Sequence, residues 1–390
     1  MKSKKTTITL AIMLGVIILL TSLKFSSTPY SWIFFGWAII FLLTAIDSKK
    51  SITKVVLLNV SIIFMTIGSF EVYLWIDKDN KIKNRPKKTF QYPNGEEFHV
   101  DSYKSQHDFL GYAPLKNITG SVIKRYRDEL IYNAVFTTDS NGLRISPPYK
   151  PQNNMECLLF FGGSFTFGEG VNDDETLPYV TGIETNGKYR IYNFGVNGYG
   201  AHQMLSAIEH QIVENIVTDC EPRYAIYQAL LPAHIRRSAG LAFWDKHGPK
   251  YLLKDGKVVF SGHFDDDNLH NQVKNFFKLN SFLIYKRIFH KINRSDIELF
   301  IGIAEASREH LENRYPNLKF HLIAWGRVKD YDDVLRRLQE NGINIHLIND
   351  ILPNFEGRGW KKYTIHQRDA HPNPLAYKLL AKYVVNKIIK

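Results

Sequence analysis

Two cysteines, Cys157 and Cys220, are all that 390 residues hold, too few for a disulfide scaffold or for any zinc site built from four thiolates. The 14 histidines fall at no recurrent ligand spacing such as His-Glu-x-x-His, and no Gly-x-x-x-x-Gly-Lys loop is present to cradle a phosphate. The sequence therefore predicts no metal and no cofactor. Zinc-finger spacing, basic heptads and aromatic RNA-binding motifs are missing as well. Acidic residues are in deficit, with 38 Asp and Glu against 50 Lys and Arg and a formal net charge of +12. Part of that excess flanks apolar stretches near the start, where anionic lipid headgroups are the natural counter-charge, so a nucleic-acid partner is not expected. No internal repeat is evident. Cys157 lies in an apolar run that reads as a strand, and an inert buried thiol is its expected state.

What is there begins with three apolar stretches, Thr7 to Leu23, Tyr30 to Ile46 and Val55 to Ile76, each near or above the roughly 17 to 25 residues that cross a hydrocarbon core. Trp32, Trp37, Tyr73 and Trp75 sit where interfacial aromatics would. A cleaved signal peptide competes for the first stretch, because Lys2, Lys4 and Lys5 precede it, but no small-x-small site follows before Lys24. Residues 1–76 are thus expected to anchor the chain by three transmembrane helices. Lys49, Lys50 and Lys54 favour a cytoplasmic amino terminus, while Lys78, Lys81, Lys83, Arg85, Lys87 and Lys88 argue against it. The latter precede a long domain, where the positive-inside rule loses force. An integral membrane protein with its large domain periplasmic or extracellular is the expectation.

Residues 77–96 read as a linker and 97–150 as a small β-rich cap, with short strand-like runs broken by Gly111, Gly120 and Gly142. From 151 to 390, apolar runs at Cys157–Phe161, Tyr189–Phe194, Tyr224–Leu231, Phe320–Trp325 and Ile343–Ile348 alternate with helix-like stretches near 201–217, 295–313, 330–340 and 374–388. That alternation predicts an α/β fold with a parallel sheet covered on both faces. An insertion at about 236–293 carries Lys254-Asp255-Gly256-Lys257, a hairpin turn signal.

Two segments carry the chemistry. Phe-Phe-Gly-Gly-Ser-Phe-Thr-Phe-Gly at 160–168 places Ser164 on the turn after the first apolar run, at the carboxyl end of a strand, where open α/β sheets bind ligands. Arg-Asp-Ala-His-Pro-Asn-Pro at 368–374 supplies Asp369 and His371 just before the last helix. A serine hydroxyl needs a base within reach to act as a nucleophile; His371 is the candidate base and Asp369 its orienter. Arg368 and His366 stand nearby as alternatives. Side chains at i and i+2 of an extended segment point the same way, so Asp369 and His371 can face one cleft.

Gly162-Gly163-Ser164 with Gly168, Asn193 with Gly198, and Asp369-x-His371-Pro372-Asn373 resemble blocks one, two and five of the SGNH hydrolases, also called GDSL esterases and lipases. The resemblance covers roughly 155–390. It implies a three-layer α/β/α fold of flavodoxin-like type and an oxyanion hole made by the backbone N–H groups of Ser164 and Gly198 and an Asn side chain from block three. Gly195 and Gly200 rival Gly198. Many family members space the acid and base three apart, whereas Asp369 and His371 are two apart, and the chain departs from the pattern twice more. Gly163 replaces the usual Asp of block one, and Leu231-Pro232-Ala233-His234-Ile235-Arg236 stands where Gly-x-Asn is usual, with His234 in the nearest equivalent place. The resemblance implies a serine esterase acting on acyl groups, acetyl foremost, of an extracytoplasmic glycan or lipid. Two alternatives stay open: an O-acyltransferase of exopolysaccharide or envelope glycan, served by a membrane acyl-donor partner, and a non-catalytic carbohydrate-binding protein on a degenerate hydrolase fold. Phe165, Phe167 and Tyr199 are expected to flank the candidate site, where aromatic rings can stack on sugars, but core packing is the expected fate of the two phenylalanines.

Overall fold

A computed structural model describes residues 31–242, 244–266, 291–326 and 331–389. The first expected span, Thr7–Leu23, and the middle of the expected insertion lie outside the described residues. The chain falls into two compact units that divide at Arg85.

The first unit holds two helices, α1 (Ser31–Asp47) and α2 (Ser51–Lys83). They pack through small residues and rings: Ala38 and Ala45 are buried, Ser61 Oγ donates to the Ala38 carbonyl at 2.7 Å, and Phe64 meets Phe34 and Phe41. Among the described residues one helix, Ser51–Lys81, is long and apolar enough to cross a membrane. The expectation of three spans is corrected to that extent: among the described residues only the third expected stretch coincides with a helix that meets this length, and α1 shows 17 residues. Helix α2 also runs through the segment read as a linker. Its last turns carry Asp77–Lys81 and Asp79–Lys83 pairs one helical turn apart, a spacing that supports helix where composition alone suggested coil.

The second unit opens with an antiparallel sheet of order β2-β1-β5-β6, formed by β1 (Lys87–Gln91), β2 (Glu97–His99), β5 (Thr119–Tyr126) and β6 (Glu129–Thr137). A hairpin of β3 (Lys104–His107) and β4 (Gly111–Pro114) accompanies it. Strand β1 begins inside the expected linker, ten residues ahead of the expected cap. The cap's core of Phe90, Tyr103, Val122, Ile131, Tyr132, Ala134 and Phe136 takes in Phe167 from the next layer.

The main sheet is parallel, with strands β7 (Glu156–Gly162), β8 (Tyr189–Asn193), β9 (Glu221–Leu230), β12 (Lys319–Trp325) and β13 (Asn344–Leu347). Their spatial order, β13-β12-β9-β7-β8, is the doubly wound 2-1-3-4-5 order of flavodoxin-like sheets. Strand residues alternate between two cores. Leu159, Phe161, Tyr227 and Leu322 face α5 (Ala201–Glu209), α6 (Ile212–Ile216), α7 (Leu231–Ser238), α8 (Arg294–Arg314) and α9 (Asp332–Glu340). Leu158, Phe160, Ile226 and Ile323 face α4 (Leu177–Glu184), α10 (Ile348–Ile351) and α11 (Pro374–Tyr383). Helix on both faces explains why these strands read as unbroken apolar runs. The short α3 (Ser164–Phe167) follows β7 directly. Between α7 and α8, β10 (Pro249–Lys254) pairs with β11 (Lys257–His263), and Asp255 and Gly256 both take positive φ, the two-residue turn expected there.

Cys157 and Cys220 form a disulfide, with Cα atoms 5.8 Å apart. This corrects the expectation of an inert thiol. The pair is 63 residues apart in sequence but joins β7 to the segment entering β9, its neighbour in the sheet.

Candidate active site

Strand β7 ends at Gly162 with φ of +143°, a conformation open to glycine alone, and a Cβ there would lie 2.9 Å from the Gln228 carbonyl oxygen. The chain then turns into α3, with the Gly163 carbonyl accepting from the Thr166 and Phe167 N–H groups and the Ser164 carbonyl from those of Gly168 and Glu169, all at 3.0 Å. Side chains tie the turn down. Asn193 donates to the Thr166 carbonyl at 3.1 Å, Tyr377 to that of Phe165 at 2.9 Å, and Gln228 to Thr166 Oγ1 at 3.0 Å. Ser164 is half-buried at the first helical position, where a helix leaves its N–H groups unpaired.

Asp369 and His371 lie on β15 (Asp369–Pro372), paired with β14 (Thr364–His366). The extended backbone turns both side chains to one side. His371 Nε2 is 2.9 Å from Ser164 Oγ, and Nδ1 is 2.5 Å from Asp369 Oδ1, which also accepts the His371 backbone N–H at 3.0 Å. The alternatives point away: His366 Nε2 lies 3.1 Å from Glu129, and Arg368 sits over the Tyr126 ring at 3.9 Å. Burial alone would raise the Asp369 carboxyl, but the hydrogen bond and charge of His371, with Lys124 behind them, hold it well below the usual range.

The cap supplies residues that the sequence reading did not single out. Lys124 Nζ donates to Asp369 Oδ2 at 2.6 Å, and Lys88 pairs with the buried Glu169. These lysines are direct cross-strand neighbours in the β1–β5 register, a like-charge placement that would destabilise the sheet unless each charge had its own counter-ion. Tyr132 and Asn197 also donate to Glu169. Burial pushes the Glu169 carboxyl up, but the charges of Lys88 and His371 and the hydrogen bonds from Lys88 and Tyr132 pull it down to about 2. Arg144, almost fully buried, donates to the carbonyls of Phe167, Gly168, Val171 and Val135 and to Asp173, at 2.6 to 3.0 Å, fixing the loop after α3. Phe167 fills the cap core beneath it.

At the residue before Ser164, a Cβ at Gly163 would lie 3.3 Å from His234 Nε2, 2.9 Å from the Tyr199 carbonyl oxygen and 2.8 Å from Arg237 Nη1. His234 is buried on α7 with Nδ1 2.5 Å from the Tyr227 hydroxyl. Burial, then the charges of Arg237 and His202, push its imidazole well below the usual value, so it stays neutral. Gly198, with φ of +94°, lies on the loop after β8, which runs beside the end of β7 through the Val196 N–H to Gly162 carbonyl bond of 3.2 Å. Its rival Gly195 packs on the α3 turn, where a Cβ would lie 2.7 Å from the Phe167 nitrogen. Phe165 is half-buried between His371 and Trp325, and Tyr199 is buried. A cavity of about 560 Å³ opens between the β3–β4 hairpin and α5, reaching Gly162 and Tyr199, but Ser164, Asp369 and His371 do not line it. Among the described residues no cluster of His, Cys, Asp and Glu is arranged to hold a metal.

No protein-family model matches the chain, and no curated protein matches it. Solved structures do show a likeness. An acetyl xylan esterase from the rumen bacterium Butyrivibrio proteoclasticus is 14% identical over 78% of this chain and 84% of that one, with a TM-score of 0.34. A carbohydrate esterase family 2 enzyme with a carbohydrate-binding domain, from Corynascus thermopiles (Myceliophthora fergusii), is 12% identical over 78% and 86%, at 0.34. The lipase Lip_vut3 from a goat rumen metagenome is 12% identical over 59% and 96%, at 0.30.

Proposed function

We propose that the chain is a serine esterase that removes acyl groups, acetyl foremost, from an extracytoplasmic glycan or lipid. The observation that carries this reading is the continuous hydrogen-bonded line from Ser164 Oγ through His371 to Asp369. Ser164 Oγ attacks the ester carbonyl carbon while its proton passes to His371 Nε2, and the carbonyl π electrons move onto oxygen. Collapse of the oxyanion breaks the bond to the leaving alcohol, which takes the proton from Nε2 and leaves acyl-Ser164. Water repeats the sequence, releasing the carboxylic acid and restoring the serine. Asp369 holds the ring with its proton on Nδ1 and stabilises the imidazolium. The N–H groups of Ser164 and Gly198 and the His234 ring face the oxyanion in this reading. With the Tyr227 phenol donating to Nδ1, neutral His234 carries its proton on Nε2, the side facing Gly163.

The Cys157–Cys220 bond suits an oxidising compartment and supports an extracytoplasmic site. In this reading the long apolar helix α2 anchors the chain in the bilayer. The test is fluorophosphonate labelling and 4-nitrophenyl acetate turnover by the full chain and its Ser164→Ala variant. Loss of labelling and a fall in kcat by about 10⁴-fold or more is expected; undiminished turnover in the variant would end the proposal. Adding sugar acceptors to an acyl ester distinguishes the outcomes. Free acid as the main product fits an esterase, acylated sugar an O-acyltransferase, and glycan binding without turnover a non-catalytic module.

A further inference from the structure

Oxyanion stabilisation depends on donors fixed before the reaction begins, and one charged donor beside Gly163, the residue before Ser164, has no role so far. Arg237, on α7, brings Nη1 to 2.8 Å from where a Cβ at Gly163 would stand, so any side chain at 163 would displace it. Nη1 carries two protons, and one goes to the Tyr199 carbonyl at 2.6 Å. The guanidinium is further held over the Trp244 ring at 5.6 Å, and its Nε is buried without a partner. Lys88, Lys124 and Arg144 each spend their charge on a carboxylate. Among the described residues Arg237 forms no ion pair; Asp245, whose charge it feels, is bonded instead to His202 Nε2 and Gln203 Nε2. A partly buried cation without a counter-ion is costly, and a transient anion on the substrate would relieve that cost in the transition state alone, the condition for acceleration.

We propose that Arg237 is a catalytic residue: the second Nη1 proton is donated to the oxyanion of the tetrahedral intermediate, in the space that Gly163 leaves open. The proposal rests on the acyl-serine reading and deepens it. Two of the places where the chain departs from the SGNH pattern then become one device, because the missing side chain at 163 admits a guanidinium from the segment that lacks the usual Asn.

The test uses the full chain with 4-nitrophenyl acetate and a fluorophosphonate. Arg237→Ala is expected to lower kcat about 100-fold with KM changed less than about threefold, and methylguanidinium is expected to restore part of the loss. Arg237→Gln, which keeps the stem and a planar donor but not the charge, is expected to fall between. Wild-type kcat in a folded variant overturns the assignment, as does a raised KM with kcat unchanged, the mark of ground-state binding. A crystal structure of the phosphonylated Ser164 adduct of the unaltered chain reads the contact directly and does not depend on a variant folding. A phosphoryl oxygen about 3 Å from Nη1 is expected, and one turned away from Arg237 overturns the proposal. If Ser164→Ala is inactive while the Arg237 variants keep full kcat, this inference alone fails and the esterase reading stands.

Discussion

Replacing Glu169 with Gln removes the charge from a carboxyl that is 3% exposed and whose partners, Lys88, Tyr132 and Asn197, are all donors. The glutamine amide would have to turn one of its own donors toward them. The carboxyl's value falls from an ordinary 4.5 to about 2, a drop of about 2.5 pH units, which at about 1.4 kcal/mol per unit corresponds to roughly 3 kcal/mol. A carboxyl depressed on folding stabilises the fold above its ordinary value and loses that contribution as pH falls through the folded one. Wild type should therefore exceed Glu169→Gln in unfolding free energy by roughly 3 kcal/mol at pH 7 and by only about 1 kcal/mol at pH 3. Urea titrations of both full chains in detergent, followed by tryptophan fluorescence at each pH, measure the gap. A gap of the same size at pH 7 and pH 3 would refute the assignment of this acid sensitivity to Glu169.

Lys124→Met should cost about 3 kcal/mol, because it leaves Asp369 buried without its second counter-ion; combining it with Asp369→Asn should cost less than the sum of the two changes, a coupling that a double-mutant cycle reads. For the disulfide, peptide mapping without reductant should recover the segments around Cys157 and Cys220 as one linked species. Cys220→Ser should lower unfolding free energy by about 4 kcal/mol, as chain entropy gives for a separation of 63 residues; a variant of wild-type stability would count against the bond.

The sheet was legible because strands buried on both faces leave unbroken apolar runs, and the five read from the sequence coincide with β7, β8, β9, β12 and β13. Ser164, Asp369 and His371 were legible because a turn glycine pair and an i, i+2 spacing are local signals. Helix α4 was not: it has eight residues, begins with Pro178 at its second position and contains Gly182, so no periodicity accumulates. Lys88 was hidden in a lysine-rich stretch that looks like a solvated membrane flank, and Lys124 had nothing nearby to mark it, its partner being 245 residues away. The cysteine pairing was equally silent, since two letters 63 apart say nothing of which strands become neighbours. Arg237 was passed over because the resemblance drew attention to His234, three residues earlier on the same helix.

The register that sets Lys88 opposite Lys124 has a consequence for how the molecule comes into being. Neither lysine is at ease in its sheet until Glu169 and Asp369 have arrived, and Asp369 lies 245 residues beyond Lys124 in the chain. The pairing of β1 with β5 therefore settles only after contacts that close long loops of chain.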